Sequence, residues 1–157
     1  MQITKTAILF IAILGMTSVF AMDMSDDNMQ ALRDKVHADR KLIVSTNMGL
    51  SESEAKNFWP VYDEYIKELA EINKDIAELI KSYAADYNAD SLTDEKAKKL
   101  IDKYFDIEKD ELKLKESYAK KLDKILPAKK VALALQIENK IRTAVKVELA
   151  AQIPLVE

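Results

Sequence analysis

The sequence predicts an all-α protein, and three of its features lead to that class. The chain of 157 residues contains only two glycines and three prolines, which the turns of a sheet protein use in larger numbers. Charged residues make up 32% of the chain and are rich in Lys and Glu, a composition typical of long solvated helices. Apolar residues recur at helical spacing in four segments separated by capping and turn residues. We expect four helices built around a long antiparallel hairpin.

The first twenty-one residues predict a secretory signal peptide. Lys5 supplies a positive start, residues 7–19 are almost purely apolar, and Val19 to Ala21 form a small-residue cleavage site. The apolar run is too short for a membrane span, which needs roughly 20 residues. The chain has no cysteine to carry a lipid or a disulfide. We therefore expect cleavage after Ala21, a periplasmic single domain over residues 22–157, and no stable membrane insertion.

The first two predicted helices meet at a glycine. The first runs from about Asp26 to Asn47 and stops at Gly49, in the position after the helix where a left-handed residue is favoured. Ser51 then caps the second helix, and Glu54 completes a capping box that contributes on the order of 1 kcal/mol. The second helix continues to about Tyr87.

Prolines and turn residues bound the rest of the chain. Pro60 removes a backbone hydrogen bond inside the second helix and predicts a bend near Lys56. Residues 88–91 form a turn, after which a third helix is capped by Thr93 and runs to about residue 125. Pro127 is predicted at the first position of a fourth helix, which ends before Pro154. The apolar tail, residues 153–156, could dock on its own chain or on another.

A broad apolar stripe follows the second helix and allows two interpretations. Its members share one side of the helix: Phe58, Tyr62, Tyr65, Leu69, Ile72, Ile76, Ile80, Tyr83 and Tyr87. Trp59, Ile66 and Ala77 widen it beyond the roughly 100° that a surface helix needs. The favoured interpretation is the core face of a bundle. The alternative is a client or partner surface formed by Phe58, Trp59, Tyr62, Tyr65 and Ile66.

Polar residues interrupt the apolar faces of the third and fourth helices. On the third, the predicted face is Ala97, Ile101, Tyr104, Leu112, Ala119, Leu122 and Leu126, interrupted by Glu108, Glu111 and Lys115. If the hairpin folds about residues 88–91, Asn73 lies at a similar height. On the fourth helix, Glu138 and Arg142 lie between apolar residues on one face, and a second apolar face predicts a central helix. These polar residues either fix the register of the helices, which we favour, or line a wet groove. Glu138 and Arg142 are interpreted as a charge pair, either buried in the bundle or exposed on a client groove.

Charge and residue type argue against several function classes. Residues 51–90 carry ten acids against four lysines, whereas residues 91–150 are net positive by four. No basic block stands free of acids, so we expect no nucleic-acid site. His37 is the single histidine and there is no cysteine, which predicts no metal site and no cofactor. No nucleophile stands beside a base and no glycine-rich phosphate loop occurs, so we expect no enzymatic activity.

Short motifs give the chain a resemblance to a known family. Residues 50–56 and 92–98 begin two helices alike, as L-S-E-S-E-A-K and L-T-D-E-K-A-K, and L-P at 126–127 begins another. Such repeated starts resemble the L-T-x-x-Q motif of the Spy/CpxP family of periplasmic proteins, with Glu54, Lys96 and Lys130 in place of the glutamine. F-W-P-x-Y-x-x-Y at 58–65, L-P-x-K at 126–129, Q-I-E-N-K at 136–140 and E-L-A-x-x-I-P-L at 148–155 are similar to an exported, uncharacterised branch. The resemblance implies a cradle-shaped dimer of helical hairpins, acting as an ATP-independent chaperone or envelope-stress modulator.

Three functions are compatible with this pattern. The leading hypothesis is a periplasmic chaperone-like protein that binds unfolded or partly folded envelope proteins through apolar and charged patches. The second is a signalling or scaffold protein that docks one specific partner and has no general client activity. The third is a structural oligomer that packs only with itself. All three require amphipathic helices with a wide apolar stripe, so the sequence leaves them open.

Overall fold

A computed structural model describes residues 39–156, which belong to one compact unit spanning His37–Glu157. The predicted signal peptide, most of the first predicted helix and His37 lie outside the described residues. The described chain contains four helices and no strand: α1 (39–48), α2 (Glu52–Asn88), α3 (Asp94–Leu122) and α4 (Ala128–Gln152). The predicted all-α class is confirmed.

The junction between α1 and α2 has the chemistry that the sequence predicts. Gly49 has a φ of 54°, the left-handed conformation that a residue without Cβ adopts at low cost. The Ser51 hydroxyl accepts a hydrogen bond from the Glu54 amide, and the Glu54 carboxylate accepts one from the Ser51 amide. This reciprocal capping box fixes where α2 starts. Pro60 lies inside α2, which continues through it, and the bend remains a prediction.

Helices α2 and α3 form the predicted antiparallel hairpin. Ion pairs from Lys121 to Glu64, from Lys103 to Asp75 and from Lys96 to Asp86 connect successively later parts of α2 to earlier parts of α3. At the tip, Asp90 adopts a φ of 49°, and the Ser91 amide donates to the Asp86 carbonyl at 2.9 Å. The Thr93 hydroxyl caps α3, as predicted.

The boundary between α3 and α4 differs slightly from the prediction. Helix α3 ends at Leu122 rather than near residue 125, because the amides of Ile125 and Leu126 both donate to the Leu122 carbonyl in a tight turn. The proline that follows also disfavours helical backbone at Leu126. Pro127 is extended, with a ψ of 145°, so it is the N-cap of α4 rather than its first helical residue.

Burial divides the described chain into two halves. The packed half, residues 39–72 and 107–142, contains every buried residue. Its core combines residues of all four helices and the α3–α4 turn: Val44, Met48, Phe58, Tyr62, Tyr65, Leu69, Ile72, Ile107, Leu114, Tyr118, Leu122, Leu126, Val131, Ala134 and Ile137. The open half, residues 73–106 and 143–156, contains the hairpin tip and the end of α4, and none of its residues is buried.

Candidate interaction surface

The aromatic residues considered for a client surface belong mainly to the core. Phe58 and Tyr62 are each 0% exposed and Tyr65 is 4% exposed. Their rings pack against one another and against Tyr118, whose ring stacks on Tyr65 at 4.2 Å. Their burial agrees with the favoured interpretation of a core face and excludes the alternative of an exposed surface at these three positions, because side chains buried among their neighbours offer no area to a partner.

Trp59 and Ile66 lie at the edge of that core and are half-buried. The Trp59 ring contacts Phe58 and Tyr62 edge to face, with centroids 5.1 and 5.6 Å apart. The Lys41 ammonium lies 4.9 Å from the centroid of the Trp59 ring, and it also bonds to Asp63 at 2.9 Å. The indole is therefore held between the core and a lysine of α1, which is a structural position rather than a free binding surface.

Glu138 and Arg142 do not pair with each other, contrary to expectation. Glu138 bonds instead to Arg40 of α1 and accepts a hydrogen bond from the Tyr62 hydroxyl at 2.9 Å. Burial alone would lower the pKa of Arg40, but the hydrogen bond and charge of Glu138 raise it. Burial, together with the charge of Glu138, also raises the pKa of Tyr62, so its hydroxyl remains a donor. This cluster ties α1 to α2 and α4.

Arg142 is the centre of a second buried cluster. Its guanidinium donates to both oxygens of Glu111, at 3.1 and 2.8 Å, and a third bond goes to the Asn73 side-chain oxygen. Lys115 and Lys146 also reach Glu111, at 2.7 and 3.3 Å. The structure thus brings α2, α3 and α4 together at one height, and the register role of these residues stays a prediction.

The second cluster controls the charge state of Glu111, which is 2% exposed. Burial alone would raise the pKa of this carboxyl, but the hydrogen bonds and charges of Arg142 and Lys115 outweigh it and hold the pKa at about 2. Glu108, one turn earlier, bonds to Lys146 at 2.9 Å and is only half-buried. The cluster therefore lies at the boundary of the packed half, and both of its carboxylates are paired with basic side chains.

A group of exposed apolar residues lies along α3. The core face predicted for this helix included some of these exposed residues together with residues that are buried. The residues buried by α3 are Ile107, Glu111, Leu114, Tyr118 and Leu122. Ile101, Phe105 and Leu112 are instead 54%, 55% and 57% exposed, and Tyr104 beside them is 50% exposed. We call these four residues the α3 stripe. At 100° per residue they fall within an arc of about 100°, centred about 100° away from the buried face.

Phe105 is the member of the α3 stripe that sequence reasoning missed. It lies four residues after Ile101 and seven before Leu112, a spacing that places all three on one helix side. Its ring packs edge to face against Tyr104, with centroids 5.5 Å apart. The signal in the sequence is that Phe105 is a large apolar residue that lies outside the face predicted for the core.

Helix α4 is less central than its two apolar faces predict. Val145 and Val147 are exposed, as are Ala144 and the tail residues Leu155 and Val156. The Tyr83 hydroxyl of α2 donates to the Pro154 carbonyl at 3.0 Å. The tail thus contacts its own chain through the backbone, whereas its last apolar side chains point to solvent.

The described residues form neither a metal site nor a membrane span. No three His, Asp or Glu side chains of residues 39–156 are grouped so that they could hold a metal ion. Within the same residues no helix is long and apolar enough to cross a membrane. No family model matches the chain, and no curated protein or solved structure matches it.

Proposed function

We propose that this protein is a non-enzymatic, ATP-independent chaperone of the periplasm, which binds unfolded or partly folded envelope proteins through the α3 stripe. The resemblance of its helix starts to the Spy/CpxP family supports the same proposal. The observation that carries it is the half-exposed state of four large apolar side chains on one side of a helix.

The surroundings of the stripe suit weak binding of many sequences. Exposed Lys98, Asp102 and Lys109 flank it on one side, so polar groups of a client find partners of either charge. Covering one large apolar side chain contributes about 1–2 kcal/mol, and the stripe has only four of them. Binding of this strength lets a client dissociate without an energy source, as an ATP-independent chaperone requires.

The packed half supplies a rigid support for this surface. Helix α3 is anchored by Leu114, Tyr118 and Leu122 in the core and by the bond between Glu111 and Arg142. The stripe begins on the free part of the same helix and ends at Leu112, beside this anchor. A surface built on a continuous helix keeps its apolar side chains spread out instead of collapsing upon itself.

Light scattering of an aggregating client protein, with and without the mature domain, tests the proposal. We expect the wild-type protein to suppress aggregation and the Phe105→Ser, Leu112→Ser double variant to lose most of that effect while keeping its helical circular dichroism. Val147→Ser is the matched control, because Val147 is 64% exposed on α4 and lies outside the stripe. Equal suppression by all three proteins would reject the stripe as the binding surface. A wild-type protein without effect on any client would reject the chaperone and favour a scaffold that docks one partner.

A further inference from the structure

We infer that the buried pocket around Glu138 is a binding site for an arginine side chain of another polypeptide, and that Arg40 of α1 fills it as an internal ligand. Residues of α2, α3 and α4 form the pocket, and none of them belongs to the α3 stripe. The inference therefore adds an arginine-selective contact to the protein and stands on residues that the proposed function does not use.

The pocket has the chemistry that a guanidinium requires. Glu138 is 4% exposed, and its two carboxylate oxygens accept hydrogen bonds from the Nε and Nη2 groups of Arg40. The Tyr62 hydroxyl donates to the same carboxylate at 2.9 Å. A carboxylate that accepts two such bonds side by side matches the planar fork of an arginine, whereas the single ammonium group of a lysine does not reproduce this geometry.

Tyr118 shows that Arg40 does not use the whole pocket. This tyrosine is 2% exposed, its ring lies 6.5 Å from that of Tyr62, and its hydroxyl has no hydrogen-bond partner within residues 39–156. Burial and the negative charge of Glu138 raise the pKa of Tyr118, whereas the charge of Arg40 lowers it, so all three groups lie in one cluster. The hydroxyl stays protonated, and a buried donor without an acceptor is unfavourable. A main-chain carbonyl of an incoming segment would supply that acceptor.

The pocket needs a cation, which couples the departure of Arg40 to the arrival of a ligand. Arg142 lies one turn after Glu138 on α4, but its guanidinium is already bonded to Glu111 and Asn73. A buried carboxylate that loses its partner is strongly unfavourable. Arg40 therefore leaves the pocket at low cost only when another basic side chain replaces it.

Helix α1 can separate from the pocket without disturbing the helices that form it. Among its described residues only Val44 and Met48 are buried. Gly49 follows them in a left-handed conformation, and the capping box of Ser51 and Glu54 starts α2 without any residue of α1. Uncovering two apolar side chains still makes the open form a minor state, so we expect the wild-type protein to bind an external arginine weakly.

Fluorescence anisotropy of a labelled short peptide tests the pocket, with one arginine flanked by alanines and the same peptide with lysine as its control. Arg40→Lys keeps the charge that the fold needs but loses the fork, so it should strengthen binding of the arginine peptide roughly tenfold over the wild type. The lysine peptide should gain little. Adding Glu138→Gln should abolish the preference for arginine. Lys99→Gln removes an exposed base of α3 and should leave both affinities unchanged.

Hydrogen exchange of the same samples shows whether the ligand replaces Arg40. Saturating the Arg40→Lys variant with the arginine peptide should speed up exchange of residues 39–48, and an equal concentration of the lysine peptide should not. Equal affinities for the two peptides, or a preference for arginine that survives Glu138→Gln, would overturn the pocket. Bound arginine peptide with α1 still protected would overturn the exchange with Arg40.

Failure of the pocket and failure of the proposed function give different results. The peptide assay contains no aggregating client, whereas light scattering of the stripe variants measures protection by the α3 stripe. Arginine-selective binding by a protein that protects no client would support the pocket and reject the chaperone. Suppression of aggregation without arginine-selective binding would support the chaperone and overturn the pocket.

Discussion

The packed and open halves share the same helices but differ in what surrounds them. Helix α2 carries one apolar stripe along its whole length, yet only its members up to Ile72 are buried. In the packed half, α1, α3 and α4 all contribute buried residues around that stripe. In the open half, Ile76, Ile80 and Tyr83 are only half-buried. Burial is therefore decided by neighbouring helices, not by the amphipathic pattern of one helix.

In the proposed function, the two halves also divide stability and interaction between them. The packed half holds the stacked aromatic rings and both buried charge clusters, so it supplies the cohesion of the fold. The open half and its border present the α3 stripe, whose side chains are free to contact another protein. The same substitution should therefore reduce stability when it is made in the packed half and leave stability nearly unchanged when it is made in the α3 stripe.

A matched pair of phenylalanines provides the largest contrast. Phe58→Ala should reduce the free energy of unfolding by about 3–5 kcal/mol, because it leaves a cavity in a core where Phe58 is 0% exposed. Phe105→Ala should change it by no more than about 0.5 kcal/mol, because that ring is 55% exposed. Urea denaturation followed by circular dichroism measures both. Similar losses for the two variants would mean that the stripe is also part of the core.

Substitution of the buried charges at the boundary between the halves should reduce the stability of the protein. Arg142→Met leaves Glu111 buried without its guanidinium and should destabilise the protein by about 3 kcal/mol or more. Adding Glu111→Leu removes the stranded carboxylate and should recover much of that loss. Thermal denaturation of the two variants provides the comparison. A single variant that melts with the wild type would show that the cluster contributes little to the junction, and a double variant no more stable than the single one would show that the stranded carboxylate does not cause the loss.

Acid should weaken that junction in a defined range. Because the pKa of Glu111 is held at about 2, below its ordinary value near 4.5, the folded state is favoured by its ionisation. The contribution is fully present above about pH 4.5 and is lost as the pH falls towards 2. Melting temperatures measured between pH 6 and pH 2.5 should fall less steeply in Glu111→Gln than in the wild type. Parallel curves would assign the acid sensitivity to other carboxyls.

The contact at the edge of the core should have a smaller effect than the buried charges. Lys41→Gln removes the ammonium above the Trp59 ring and its bond to Asp63, and should cost roughly 0.5–1 kcal/mol. It should also make the indole more accessible to iodide or acrylamide quenching. Unchanged quenching together with unchanged stability would show that α1 does not cover Trp59 in solution.

The helix boundaries could be predicted because local signals set them. The contacts between residues far apart in the sequence could not be predicted. The helix boundaries depend on capping and turn residues that contact only their near neighbours in the sequence, so these boundaries could be inferred from sequence. The residues are Gly49, Ser51, Glu54 and Thr93. The partner of Glu138 is Arg40, which lies 98 residues away, and only the packing of α1 against α4 reveals it.

The candidate surface shows the same limit on a larger scale. The apolar pattern of α3 allowed several faces, and the one chosen from sequence joined exposed Ile101 to buried Leu122. The positions of α2 and α4, which contact α3 through Tyr65 and Arg142, decide which face is covered. The helical periodicity of the sequence therefore identifies the apolar residues of α3, but it does not distinguish those in the core from those in the α3 stripe.

Hydrogen exchange of the mature protein, followed by mass spectrometry of its peptides, tests the difference between the halves most directly. Helix α3 provides the internal comparison, because residues 94–106 lie in the open half and residues 107–122 in the packed half. We expect amides of 94–106 to exchange much faster than those of 107–122, with α2 showing the same change beyond residue 72. Addition of an unfolded client should then slow exchange in peptides that contain residues 101–112. Uniform protection along α3, unaltered by any client, would contradict both the division into halves and the surface assigned to the open one.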